Sequence, residues 1–209
     1  MVDLYPYGIR AEVKMINNSN KKRKLKTSNL TTIGMLSAIC MVLGLTGYGF
    51  IPLPGAKATI MHIPVIVGSI IGGPIVGMTI GFIFGMFSIM QNIMAPNLFS
   101  FAFINPLVSV LPRILIGFTS YYVYKLTFIK NQNLRIGLAT VVGSLTNTFG
   151  VLTMIYILYA VKFAAAKGID PSIAAKTIYG IAIINGVPEA IIAVIITVPV
   201  ILAIKKIRK

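Results

Sequence analysis

Two opposite charges, Arg113 and Glu189, stand alone inside a sequence that is otherwise almost unbroken apolar from Thr31 to the C-terminus. A charge at bilayer depth costs at least ~2.5–3.5 kcal/mol on insertion scales, so it is retained where it pairs or lines a polar path. The chain is therefore read as an all-α integral membrane protein with a polar interior, a carrier or receptor of something small. Composition agrees, because only 11% of its 209 residues are charged, against about 25% in soluble domains.

About 20 apolar residues cross a bilayer as a helix. Segments 31–50, 74–90, 105–124, 136–160 and 178–204 meet that measure, and 59–71 is apolar but short for a full crossing. Together they predict a six-transmembrane-helix bundle over 29–209, preceded by a basic cytosolic tail over 1–28. The proline-rich stretch 51–57 reads as a loop, 91–103 as a polar and aromatic loop, and 161–176 as the longest hydrophilic connection. With six helices both termini share one side. Under that arrangement fourteen basic residues fall on the terminal side and four (Lys57, Lys162, Lys167 and Lys176) on the other. The positive-inside rule then puts both termini in the cytoplasm of a multi-pass plasma-membrane protein. The apolar segment runs on without a small-residue cleavage site, so a cleavable signal is not expected. A net charge of +15 is explained by this topology, and no nucleic-acid partner is expected.

Chemistry of the catalytic kind is nearly absent. One histidine and four acidic residues cannot build most hydrolase or metal sites, and no phosphate loop or His-Glu-x-x-His motif occurs. No enzyme, metal or cofactor is expected. Cys40 is a lone cysteine in an apolar stretch, which excludes a disulfide framework. An ATP-driven step would have to come from another chain.

The polar residues at depth are the candidate ligand contacts. Asn185 and Glu189 are four apart and share a helix face, and Asn105 precedes Arg113 on another. Arg113 and Glu189 lie at similar depth, roughly 12–16 Å from the outer ends at 1.5 Å per residue. They are either a structural ion pair or ligand contacts, with Arg113 suited to an anionic ligand. Asn147 adds a buried amide. Near the outer surface stand Lys57, His62, Gln91, Asn92 and Asn97. A separate pattern is Gly73, Gly77, Gly81 and Gly85, with a weaker version at Gly34 and Ala38. Small residues at a spacing of four let another helix approach closely, within the bundle or on a partner.

The run 58–74, which contains His62-Ile63-Pro64 and Gly72-Gly73-Pro74, resembles the substrate-binding S components of energy-coupling factor (ECF) vitamin transporters. The resemblance extends through Gly77, Gly81 and Gly85, through 100–106 and through 112–117. It is nearest the riboflavin-like and pantothenate-like branch. It implies capture of a vitamin from outside, with the first loop closing over it. It also implies docking on a transmembrane coupling subunit driven by two ATPase subunits, and toppling in the bilayer to release cargo. The family's docking surface maps to Gly34, Ala38, Gly77, Gly81 and Gly85, with Gly34 where the family has alanine. Pantothenate is the expected cargo, because a small hydroxylated anion suits Lys57, Arg113 and several amides. Riboflavin or another vitamin is the alternative within the family. A small channel and a membrane-assembly protein are the alternatives outside it, and ligand-induced thermal stabilisation separates both from a binding component.

Overall fold

The computed structural model describes residues 27–53, 56–97, 99–126 and 128–207, and the side chains of 50–58 fall outside the description. The basic tail lies outside the described residues except for Thr27 and Ser28, which open the first helix. The elements are α1 (Thr27–Thr46), β1 (Phe50–Leu53), β2 (Ala56–Thr59), α2 (Ile63–Gly72), α3 (Pro74–Met94) and α4 (Ser100–Phe103). They continue with α5 (Pro106–Ser109), α6 (Leu111–Leu126), α7 (Gln132–Lys167), a 3-10 turn (Pro171–Ile173) and α8 (Ala174–Ile207). Among the described residues, five segments are long and apolar enough to cross a membrane: Thr27–Thr46, Pro74–Met94, Pro106–Leu126, Gln132–Lys167 and Pro171–Ile207. The helical membrane bundle expected from the sequence is the architecture found, with α2 as the shorter helix beside the five long segments.

The centre of the bundle is α2. Every residue from Ile63 to Ile70 is buried, as expected of a helix that is apolar all round. Ten residues rise about 15 Å, half the hydrocarbon core. The chain therefore descends to the start of α2 as non-helical backbone, residues 60–62. Such backbone is tolerated at depth only where protein or a cavity covers it. Here α1 helps to cover it: Cys40 Sγ donates to the Met61 carbonyl, and Ile60 N–H donates to Gly49 O at 2.9 Å. The turn from α2 into α3 needs Gly73, whose φ of 96° and ψ of 175° lie in a region essentially restricted to glycine. Pro74 then starts α3 with its φ already helical.

The stripe of Gly77, Gly81 and Gly85 is internal. A Cβ on Gly81 would lie 2.1 Å from the Arg113 carbonyl oxygen, one on Gly85 2.7 Å from Val110 Cα, and one on Gly77 3.0 Å from Gly117 Cα. These glycines let α3 and α6 meet backbone to backbone, so that face is closed to a partner and its expected docking role is corrected. Gly34 and Ala38 are exposed, and a Cβ on Gly34 would meet nothing within 4 Å.

Two connections differ from expectation. The loop expected over 51–57 is an antiparallel hairpin pairing Phe50 with Thr59 and Pro52 with Lys57. Proline is acceptable there because both strands are edges. The connection expected over 161–176 is largely helix. α7 runs to Lys167 and ends at Gly168 in the left-handed conformation, after a kink at Tyr159. The Asp170 carboxylate then caps the 3-10 turn by accepting from Ser172 N–H, and hydrogen bonding from the Ser172 side chain and backbone holds its carboxyl below the usual range.

Candidate functional site

The glycine contact between α3 and α6 places Arg113. Gly81 lies against its backbone, and the side chain enters a cavity of about 440 Å³ bounded by α3, α6, α7, α8 and the segment at Thr59 and Met61. That is an ordinary size for a small-molecule site, ~300–1,000 Å³. Arg113 is 6% exposed. Its Nη1 donates to Val108 O at 2.8 Å, and its guanidinium lies 5.5 Å from the Phe84 ring centroid and 5.8 Å from that of Phe103. No hydrogen-bond partner for Nε occurs among the described residues. The result is a cation held by one carbonyl and two aromatic faces, with donor capacity left over.

Glu189 is the other pole, 4% exposed. Thr59 and Thr148 donate to its two carboxylate oxygens, the latter at 3.1 Å, and Asn147 Nδ2 approaches at 3.5 Å. His62 Nδ1 lies 3.2 Å from Glu189 Oε1, a contact that is ionic only with the imidazole protonated and that has no hydrogen-bond geometry; no ionic contact between Arg113 and Glu189 occurs within 4.0 Å. The two lone charges of the sequence therefore do not form an ion pair with each other. Glu189 is instead tied by the Thr59 hydroxyl to the chain that descends into the bundle, with His62 beside it. Pro188 immediately before it lacks an N–H, so the helix gives up one internal bond beside the site.

The rim is an amide network. Asn92 Oδ1 accepts from Asn97 Nδ2 at 3.1 Å and from Ser100 Oγ at 2.9 Å, while its own Nδ2 donates to Ser88 O at 2.8 Å. Gln91 Nε2 donates to Gly44 O at 2.9 Å, fastening α3 to the end of α1. Asn185 lines the cavity one turn before Glu189.

Of the residues expected at the site, Gln91, Asn92, Asn97, Arg113, Asn147, Asn185 and Glu189 line one cavity. Three do not. His62 is fully buried behind Glu189. Asn105 caps α5 by accepting from Leu107 N–H and donates to the Tyr159 hydroxyl at 3.1 Å, beside the kink of α7. The Lys57 side chain lies outside the description. Residues not singled out from the sequence are Thr59 and Thr148, which hold Glu189, and Phe84 and Phe103, which hold Arg113. Thr148 follows Asn147 directly, a signal in plain sight. Thr59 carried none, because its position depends on the hairpin.

A sequence profile described as the substrate-specific component of ECF transporters matches residues 28–201. The chain belongs to this family. It is accordingly a substrate-specific transport subunit of a multi-pass membrane system and not an enzyme. Two relatives give the comparison detail. The pantothenic acid transporter PanT of Lactococcus lactis subsp. cremoris is 32% identical over 205 residues, covering 89% of this chain and 98% of that protein. The pantothenate transporter PanT of Leuconostoc mesenteroides is 29% identical over 188 residues, covering 85% and 90% respectively. In this S component the profile spans all the site-bearing helices, so the cavity described above belongs to the matched region.

Proposed function

We propose that the protein captures pantothenate from outside and delivers it through an ECF coupling subunit driven by separate ATPases. The cavity supports this reading because it carries a cation and an anion that do not touch. Pantothenate is a carboxylate at one end and a diol at the other, with an amide between. Its carboxylate suits the unused donors of Arg113. Its hydroxyl donors suit Glu189, which accepts and cannot donate when ionised. Asn147, Asn185 and the Asn92 network add amide groups to the same cavity. The names of the two relatives point the same way.

Riboflavin is the reading to beat. Its ring system would require open aromatic faces, and the two phenylalanines beside the cavity, Phe84 and Phe103, already flank the Arg113 guanidinium. Arg113 would have to vacate them, leaving a buried cation without its neighbours.

Orientation follows the basic residues. We infer that both termini face the cytoplasm, which opens the cavity and the Gln91–Asn97 rim outward. External labelling of a single cysteine placed at Lys167 but not at Lys206 is the expected pattern. The small-residue face of Gly34 and Ala38 stays exposed for the coupling subunit to dock on.

The deciding experiment is calorimetric titration of the purified protein with pantothenate and, separately, riboflavin. Binding of pantothenate with one site per chain and no heat from riboflavin is expected. Riboflavin binding with no response to pantothenate overturns the cargo assignment. No binding by either overturns the S-component mechanism for this cavity.

A further inference from the structure

A second cavity, of about 380 Å³, lies where α6 ends, α7 begins and α8 ends, lined by Tyr124, Lys130, Gln132, Arg135, Lys205 and Lys206. It is remote from the cargo site along each of the three helices. At 1.5 Å per residue the displacement is roughly 16 Å from Arg113 to Tyr124, 18 Å from Asn147 to Arg135 and 24 Å from Glu189 to Lys205. Its inner wall is built. The Tyr124 ring is flanked by Arg135 and Lys205, each 4.6 Å from its centroid. Arg135 Nη2 donates to the Tyr124 carbonyl at 3.0 Å, and Lys205 Nζ donates to the Tyr124 hydroxyl. Arg135 Nε is a buried donor with no partner among the described residues.

Among the described residues the cations here have no counter-charge. The chain has four acidic residues. Glu189 is in the cargo cavity, Asp170 lies between α7 and α8 at the opposite end, and Asp3 and Glu12 precede the described residues. No salt bridge reaches Lys130, Arg135, Lys205 or Lys206 among the described residues. Large apolar side chains within a few residues of the lining in sequence are exposed: Leu126, Phe128 at 98% exposure and Ile207 at 84%. A basic recess at a helix-bundle end, with exposed apolar side chains close by in sequence, matches the two halves of a membrane lipid.

We propose that this recess is a binding site for the phosphate headgroup of an anionic phospholipid, seated against Arg135 and Lys205 with Lys130 and Lys206 at its rim. Leu126, Phe128 and Ile207 then sit beside its acyl chains. A basic pocket between helix ends is the form such headgroup sites take. The proposal does not depend on which cargo the protein carries.

The test uses the full-length protein in a neutral detergent, with melting temperature as the readout. Phosphatidylglycerol should raise it by several degrees and phosphatidylcholine should not. Native mass spectrometry should show one retained phosphatidylglycerol. Lys130→Gln with Lys206→Gln removes two exposed cations at the rim. That variant should melt normally without lipid and lose at least half of the phosphatidylglycerol shift, with pantothenate affinity unaltered. In the unmodified protein, raising salt to about 0.5 M should erase most of the shift, because screening acts on exposed charge. A shift that survives both the substitutions and the salt overturns the site, as does an equal shift from phosphatidylcholine. Inorganic phosphate matching phosphatidylglycerol at equal concentration overturns the lipid assignment in favour of a free-phosphate site.

Discussion

The small-residue stripes of α1 and α3 look alike in sequence and do opposite things. Gly34 and Ala38 are four apart, as are Gly77, Gly81 and Gly85. On α3 the stripe is buried against α6, while Phe82 and Met86 on other faces of the helix are exposed. On α1 the stripe is exposed together with Met35 and Ile39, and the buried face is Ile33, Leu36, Ser37 and Cys40. Spacing of four states that a backbone can be approached closely. It does not state by what. The α3 stripe is used up inside the bundle, and its product is the position of Arg113.

The largest effect in the isolated protein is expected from Gly81→Leu. Even a Cβ there lies 2.1 Å from the Arg113 carbonyl, and backbone cannot move aside as a flexible side chain can. Overpacking of this kind costs ~3 kcal/mol or more. Melting temperature and pantothenate binding should fall together. Normal binding combined with lost transport would return the α3 stripe to the role of a partner surface and erase the contrast with α1.

Arg113→Gln separates placement from packing. It leaves both small-residue stripes intact and removes only the cation that the α3 stripe positions. A hydrogen bond to a charged group contributes about 1.5–3 kcal/mol, so pantothenate affinity should drop roughly ten- to hundredfold. Arg113→Lys should fall between, because it keeps the charge and loses the planar fork. Titration calorimetry reads both. Unchanged affinity in Arg113→Gln would make the guanidinium part of the scaffold.

Much of this was legible because lipid leaves few options. Span count and helical class follow from run lengths, and Arg113 and Glu189 are conspicuous because any charge at that depth is costly. Asn185 and Glu189 lining one wall follows from helical spacing alone. The rest depended on tertiary geometry. Whether Arg113 meets Glu189 turns on helix rotation, and here the non-helical segment brings Thr59 and His62 to Glu189 first. Asn105 reads as a deep polar residue but serves as a helix cap, a role set by Pro106 starting α5 behind it. The 161–176 connection looked hydrophilic because Lys162 and Lys167 punctuate it, yet Ala164, Ala165 and Ala166 are strong helix formers and α7 continues through them.

Glu189→Gln is expected to act more mildly than Arg113→Gln. The amide still accepts from one threonine but loses the charge that strengthens the bonds from Thr59 and Thr148. An affinity loss of about 1 kcal/mol, near fivefold, is expected if the carboxylate takes a pantothenate hydroxyl. A melting temperature that falls with no change in affinity would confine Glu189 to holding the descending segment.

The smallest effect in the isolated protein belongs to the other stripe. Gly34→Leu places a side chain where nothing lies within 4 Å. Replacing a helical glycine also removes a backbone-entropy cost of up to about 1 kcal/mol, so the melting temperature should hold or rise slightly. Pantothenate affinity should stay within about threefold, less than 1 kcal/mol. Uptake by cells carrying the coupling subunit and ATPases should nevertheless fall sharply, because leucine blocks close approach to α1. Gly34→Ala serves as the companion, since a methyl group still permits small-residue packing and should preserve uptake. Uptake retained by Gly34→Leu would leave the exposed stripe facing lipid, and docking would have to use another surface. The same result beside a destabilised Gly81→Leu would mean that neither stripe serves a partner, and that close approach in this protein is spent wholly on its own interior.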